Sequence, residues 1–365
     1  MKFELDTVLI EDGCGDSRLA RRVQARIPSS IVVRHIDDAR AALRPMADSA
    51  DPFGAGKRRM VIMRRRSPFI MACPAAASGF ACCGYLVMAL ASNCPMDCSY
   101  CFLQEYIADN PSFQVYANYA DCFDELDRLA RQAPNRGFRI GTGEFADSLA
   151  FDSITGIAGD LVKFFARQPN LTLELKTKTD DIDGLLAVDP RGRTIVSWTL
   201  STDTVYRTSE HRTASPMRRI EAARQLLDAD YRIAFHLDPI IAYLNAERDY
   251  DDLIDALFAA IPADRIAFVS LGGLRMTPTL RRRARERFPN DTMLTGEDVL
   301  ASDGRYRTFM PLRVSLYRRL NDRLARAGVK SVYLCMEQPS VHEKIFGAPA
   351  PTPGVLGASL AGAHE

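Results

Sequence analysis

Six short apolar runs that alternate with helical stretches constrain this chain more than any other feature. The runs lie at residues 86–90, 138–140, 171–175, 194–200, 233–237 and 266–271, each of strand length. Helical patterns fall between or after them, at residues 119–132, 154–168, 216–228, 250–260 and 279–288. Strands that alternate with helices predict an α/β fold of parallel βαβ units. The sheet can be open or curved toward a barrel, and periodicity does not separate the two. In both cases reactive groups gather at the C-terminal ends of the strands. Four regions follow: an N-terminal lobe over residues 1–84, the α/β unit over 85–290, a C-terminal extension over 291–346, and an irregular Ala/Pro/Gly-rich tail over 347–365, expected to be disordered.

Composition narrows the function classes. The 365 residues carry 47 basic and 46 acidic side chains, a net charge of +1, so no global field draws the chain to nucleic acid or an anionic membrane. The longest apolar stretch, residues 84–91, is far too short to span a bilayer. The opening Met1-Lys2-Phe3-Glu4-Leu5-Asp6 lacks the apolar core of a secretion signal, and a cytoplasmic protein is expected. Nine cysteines, an odd number in a chain too large to need disulfide staples, point in a reducing compartment to metal or redox chemistry.

Three of them form a pattern. After the first predicted strand comes Cys94-Pro95-Met96-Asp97-Cys98-Ser99-Tyr100-Cys101, a Cys-x3-Cys-x2-Cys loop. A closed zinc site would need a fourth protein ligand. A [4Fe–4S] cluster held by three thiolates keeps one iron open to a chelating small molecule. The loop, in its strand-loop-helix setting, resembles that of the radical S-adenosylmethionine superfamily. That resemblance implies a cluster on Cys94, Cys98 and Cys101 and S-adenosylmethionine as second cofactor. It also implies a partial (β/α)6 barrel of TIM type, and an external electron donor such as a flavodoxin or ferredoxin. One electron from the cluster then cleaves the sulfonium to methionine and a 5′-deoxyadenosyl radical. The element Gly141-Thr142-Gly143-Glu144 stands where the superfamily binds the methionyl ammonium, which assigns Gly143 and Glu144 to the cofactor. Lys178, Thr199 and Asp238 fall at later strand ends and are further cofactor candidates.

A narrower resemblance runs from about residue 85 to 288. Tyr100 and Leu103-Gln104 in the loop, Asp147 and Asp152, Thr177-Lys178 ahead of Ile182-Asp183, Ser215-Pro216 with Arg219, and Asp238-Pro239-Ile240 match, in order, segments of the spore photoproduct lyase family. This implies action on a pyrimidine photoproduct or related DNA lesion, with Tyr100 as a candidate catalytic residue. Two positions depart from it. The family's hydrogen-donating cysteine, three residues before the first aspartate, is Glu144 here, and its relay tyrosine directly after the third cysteine is Phe102. Phe has no O–H, and a carboxylic O–H is a poor hydrogen-atom donor. Cys83, beside Cys73 and Cys82, is the candidate substitute, with Cys335 as a further option; the group is alternatively a second metal site or a set of buried thiols. Basic segments at residues 57–59, 64–66, 281–283 and 318–319 would supply phosphate contacts for a nucleic-acid substrate or be ordinary solvated faces. His211, His236 and His342 show no ligand spacing and read as ordinary polar residues. A different nucleotide, RNA or peptide substrate, or a non-catalytic iron–sulfur DNA-binding role, remains open.

Replacing Cys98 by Ala is expected to abolish both the brown absorbance near ~400 nm and cofactor cleavage, since two thiolates do not retain the cuboid. Ultraviolet–visible spectra of reconstituted protein check it, and a variant that keeps its colour refutes the ligand set.

Overall fold

The alternating pattern folds into an eight-stranded sheet whose strands lie in chain order. These are β1 (Ile70–Ala72), β2 (Leu86–Met88), β3 (Phe138–Gly141), β4 (Leu171–Thr177), β5 (Thr194–Thr199), β6 (Arg232–Ile240), β7 (Ile266–Gly273) and β8 (Val332–Leu334). The computed structural model describes residues 4–43, 49–74, 80, 83–107, 111–352, 356 and 359–360. Strands β2 to β8 pair in parallel, and β1 runs antiparallel on the edge of β2. The six expected strands are β2 to β7. β1 and β8 are additions of three residues each, too short to carry a readable period.

One contact shows that the sheet curls. β3 and β8 are five strands apart, which in a flat sheet is about 24 Å at ~4.8 Å per strand. Yet Arg139 Nη1 of β3 lies 3.3 Å from the Tyr333 hydroxyl of β8. The strands therefore wrap around a shared interior, a partial barrel. Alternation along each strand sorts the side chains. Leu171, Leu173 and Leu175 of β4, and Ile233, Phe235 and Leu237 of β6, face outward into the main core under the helices. Those helices, among them Asp121–Gln132, Ile157–Phe165, Pro216–Asp228 and Ala246–Ala260, are the crossovers expected between parallel strands. Pro216–Asp228 starts where predicted because Ser215 accepts from the Arg218 N–H and Pro216 fills the first turn.

The barrel interior is layered. Ile195, Ala234, Phe268 and Tyr333 form an apolar floor. Above it a polar layer is centred on Glu174, which accepts from Arg139 at 2.7 Å and Ser197 at 2.8 Å and meets His236 Nε2 at 2.8 Å. His236 Nδ1 in turn contacts Ser270 Oγ at 2.5 Å. His236 is thus a barrel-interior residue, where the sequence suggested only an ordinary polar one. The top layer, from the strand ends, holds Gly143, Lys176, Thr199 and Asp238.

The expected regions are not self-contained. The N-terminal sheet joins Thr7–Glu11, Val32–Ile36 and Arg59–Met63 in parallel to Phe113–Tyr116, with Ala91–Ser92 antiparallel on its edge. Its last two strands come from beyond residue 84, while β1, from within the lobe's range, pairs with the barrel. The extension past residue 290 supplies β8 and two strands, Asp298–Leu300 and Tyr306–Thr308, which form a three-stranded antiparallel sheet with Arg275–Met276 from the α/β unit. In the tail, Leu360 is buried against the barrel floor with Leu356 beside it, so this part is packed and not the disordered segment expected. Among the described residues no helix is long and apolar enough to cross a membrane.

The polar layer makes stability pH-dependent. Burial and the Lys176 charge hold the His236 imidazole down to about 4, against the opposing pull of Glu174. A group whose folded pKa is depressed below its unfolded value of about 6.5 takes up its proton more readily in the unfolded chain, so stability falls as pH drops from about 6.5 to 4. The expected loss is on the order of 3 kcal/mol at about 1.4 kcal/mol per unit. Urea titrations across this range check it, and His236→Gln is expected to flatten the slope.

Candidate active site

The three-cysteine loop stands over the C-terminal ends of the barrel strands because it is tied down on two sides. Asp97–Cys98 pairs antiparallel with Glu210–His211, a segment reached after β5. Asn93, at φ 71°, turns the chain out of Ala91–Ser92, donates to the Pro111 carbonyl and accepts from the Cys94 N–H at 2.7 Å. Gln104 Nε2 donates to the Ser99 carbonyl at 2.7 Å and closes the loop from inside. Cys94 and Cys101 pack against Phe53, Leu103 and Ile107, and Cys98 is buried.

The donor set suits a cluster. Burial pushes the Cys94 thiol up to about 12, with Asp147 and Cys101 adding to the shift. Cys98 is raised further by burial, with Glu210 and the neighbouring thiols adding to it and Lys178 opposing. Such thiols ionise at neutral pH when a cationic group is bound to them. Among the described residues no three His, Cys, Asp or Glu side chains converge on one metal ion. Three thiols within one eight-residue loop, two of them raised by burial until a cationic group binds, are the kind of donors that a [4Fe–4S] cluster takes.

Beside the loop lies a charged cluster that the sequence did not announce. Tyr100 donates its hydroxyl to Glu210, and Glu210 is ion-paired with Arg219 at 2.5 Å. Lys178 Nζ sits 5.6 Å from the Tyr100 ring centroid. Burial works against ionisation of Glu210, but Arg219 and Lys178 outweigh it and hold the carboxyl below its ordinary value. Burial and Glu210 together raise the Tyr100 phenol well above its ordinary value. Lys178 thus faces Cys98 and Glu210. Thr199 is buried, and its carbonyl accepts from Arg219 at 2.8 Å.

Across the mouth, the loop after β3 is held by Asp147, which accepts from the Leu149 N–H at 3.0 Å, the Thr177 hydroxyl at 2.8 Å and the Lys178 N–H at 2.8 Å. This orients residues 141–149 over β4. A Cβ at Gly143 would lie 2.5 Å from the Lys176 Cβ, so only glycine lets the two chains approach so closely. Glu144 is raised by burial, against the charges of Lys176 and Arg275. Asp238 forms a two-point ion pair with Arg275 at 2.9 and 3.0 Å. Burial would raise that carboxyl, but Arg275 holds it down to about 2. Asp238 is therefore already committed to a cation of the chain itself.

Cys83 lies below this mouth, within reach of the charge on Cys335. It packs on the barrel floor against Phe268 and Tyr333. Cys73 belongs to a different cluster, with Val87, Ala89 and Phe145, and Cys82 lies outside the described residues. Cys335, directly after β8, is the cysteine that faces the Asp238, Arg275 and Lys176 charges. Phe102 is half-exposed beside Tyr106, with ring centroids 6.1 Å apart.

The basic segments are largely turned toward the chain itself. Arg58 pairs with Glu4 at 2.6 Å and Asp6 at 2.7 Å, Arg283 donates to the Gln104 carbonyl at 2.7 Å, and Arg319 pairs with Asp251 at 2.5 Å. Lys57 is buried. Nearly equal numbers of acidic and basic residues hide such pairings in the sequence. Only His211, stacked on Phe288 at 5.2 Å, and His342, bonded to the Ala348 carbonyl at 3.0 Å, are the local polar groups expected.

A family model described as "Spore photoproduct lyase" matches residues 48–309, well over half of the chain. The chain belongs to the spore photoproduct lyase family. A spore photoproduct lyase of Clostridium acetobutylicum is 23% identical over 285 residues, covering 78% of this chain and 82% of the relative. That of Bacillus subtilis strain 168 is 27% identical over 174 residues, 48% of this chain and 51% of the relative. Among solved structures, a mutant spore photoproduct lyase with bound S-adenosylmethionine and dinucleoside spore photoproduct superposes with a TM-score of 0.79 at 19% identity, over 93% of this chain and all of that one. At that identity the likeness establishes the fold, a partial barrel with the same family topology.

Glu144→Gln is expected to weaken S-adenosylmethionine binding by about 1–3 kcal/mol, the scale of one charge-assisted hydrogen bond to a buried group. Calorimetric titration of reconstituted protein checks it, and unchanged affinity returns Glu144 to a strand-end turn.

Proposed function

We propose that this chain is a radical S-adenosylmethionine enzyme of the lyase type that acts on a pyrimidine photoproduct or related lesion in DNA. Cys94, Cys98 and Cys101 would hold a [4Fe–4S] cluster, and the mouth between them and Glu144 would hold the cofactor. The observation that carries the reading is one loop with three free thiols, Cys98 buried and Cys94 and Cys101 partly buried, set over the C-terminal end of a partial barrel in a member of this family. The bound cluster and cofactor supply a 5′-deoxyadenosyl radical. The residues of the chain do the rest. Glu144 offers a carboxylate to the methionyl ammonium, and the Gly143 main chain makes room for its approach. Lys178 and Arg219 balance Glu210, which fixes the Tyr100 hydroxyl. An external flavodoxin or ferredoxin is the proposed electron source, and the site of action is proposed to be the cytoplasm.

Quenching of the product radical sets this chain apart from the family pattern implied by its sequence. Glu144 and Phe102 occupy the donor and relay positions, and neither gives up a hydrogen atom readily. Cys335 is the thiol that shares the Asp238, Arg275 and Lys176 surroundings with Glu144. Cys83, on the floor beneath the polar layer, is the less favoured donor. The family assignment makes a non-catalytic role the weaker alternative, and reductive formation of 5′-deoxyadenosine separates the two directly.

Anaerobic incubation with irradiated, deuterium-labelled oligonucleotide tests substrate and quenching together. Deuterium transfer into 5′-deoxyadenosine is expected, with little clean thymine recovery. Efficient recovery that disappears in Cys335→Ala would instead assign the donor role to Cys335 and refute the lost-donor reading. Absence of 5′-deoxyadenosine from reduced wild-type protein would overturn the enzyme assignment.

A further inference from the structure

Lys57 ends the short helical turn Pro52–Gly56 of the N-terminal lobe and is almost entirely enclosed, at 1% exposure. A lysine is seldom buried without partners, because an unpaired ammonium in a low-dielectric interior is strongly disfavoured. The partners here belong to the cysteine loop. Nζ donates to the main-chain carbonyl of Cys94 at 3.0 Å and to that of Met96, and lies 3.5 Å from Asp97 Oδ1. These residues span the turn between the first two of the three thiols. The ammonium also sits 4.9 Å from the centroid of the Phe53 ring, against which Cys94 and Cys101 pack.

Asp97 sharpens the argument. It is shared between Lys57 and Arg287, whose Nη2 lies 3.1 Å away, while Arg287 also holds Asp51 at 2.7 Å. The two cations and two carboxylates balance. Without Lys57, one uncompensated negative charge would stand beside three thiolates.

We propose that Lys57 is a positioning residue for the iron–sulfur cluster: its ammonium pins the turn at residues 94–96 and offsets the charge of the thiolates, so that it sets the reduction potential as well as the loop's shape. The inference rests on the reading that Cys94, Cys98 and Cys101 hold a cluster. Reduction adds one negative charge to that group, and a fixed buried cation favours the more negative state. Removing the cation therefore makes the cluster harder to reduce. It also links cluster chemistry to the N-terminal lobe, since the residue that tunes the site lies outside the barrel.

The test uses anaerobically reconstituted full-length protein, with iron content and the midpoint potential followed by electron paramagnetic resonance. Lys57→Gln keeps one amide donor for the loop and removes the charge. Its fraction reduced at a fixed potential is expected to fall tenfold or more, which for a one-electron couple is a shift of about 59 mV or more toward negative potential. Lys57→Arg is expected to move the potential back toward wild type. Arg58→Gln, which alters the neighbouring cation paired with Glu4 and Asp6 at the surface, is expected to leave it unchanged. If the Gln variant does not fold, Lys57→Met fills the same slot with an apolar chain and carries the measurement. A wild-type potential in the neutral variant overturns the proposal. A wild-type protein with no cluster signal at all would overturn the cluster reading instead.

Discussion

The structure depends on how the barrel interior accommodates charge. Arg139 reaches from β3 to Tyr333 of β8 and pairs with Glu174 at 2.7 Å, and both of the paired side chains are 1% exposed. A buried ion pair of this kind is held by its own geometry, because removal of either partner strands the other in a medium that does not solvate it. His236, Ser197 and Ser270 complete the layer, so the curl of the sheet and the hydrogen bonding of its interior are one constraint. Phe268 and Tyr333 add ring faces around the guanidinium, with centroids 4.9 and 5.6 Å away. A flat sheet would leave Arg139 and Tyr333 with no means of meeting.

The same accounting recurs one layer higher, where the chemistry lies. Three anionic groups at the mouth each have a cation supplied by a different element. Asp238 of β6 has Arg275, Glu210 after β5 has Arg219, and Asp97 in the cysteine loop has Lys57 and Arg287. Glu144 differs: it lies partly buried among the charges of Lys176, Arg275 and Asp238, and burial outweighs the two cations and raises its carboxyl. Cys94 and Cys98 differ in the same way, raised by burial and needing a bound group to ionise.

Much of this was legible in the sequence because it rests on local signals. The six strands β2 to β7 and the helix Pro216–Asp228 follow from period, length and capping, which each segment carries within itself. The loop of Cys94, Cys98 and Cys101 was legible for the same reason, since its ligands lie within eight residues of chain. Glu144 and Phe102 were read by position against the pattern of the family to which the match over residues 48–309 assigns the chain.

Other properties depended on residues far apart in the chain. β1 and β8 exist as strands because a neighbour offers hydrogen bonds, and their three residues hold no period of their own. Lys57 looked like part of a basic surface segment, and became a buried loop clamp because the N-terminal lobe packs it against residues 94–97. Cys83 and Cys335 were equivalent spare thiols in the sequence, yet one packs on the barrel floor and the other faces the mouth. Local order along the chain was enough for the α/β pattern, the spacing of the three cysteines and the resemblance to the family. That the sheet curls, and which cation meets which anion, came from the fold, because such pairings depend on distances that a linear order of residues does not contain.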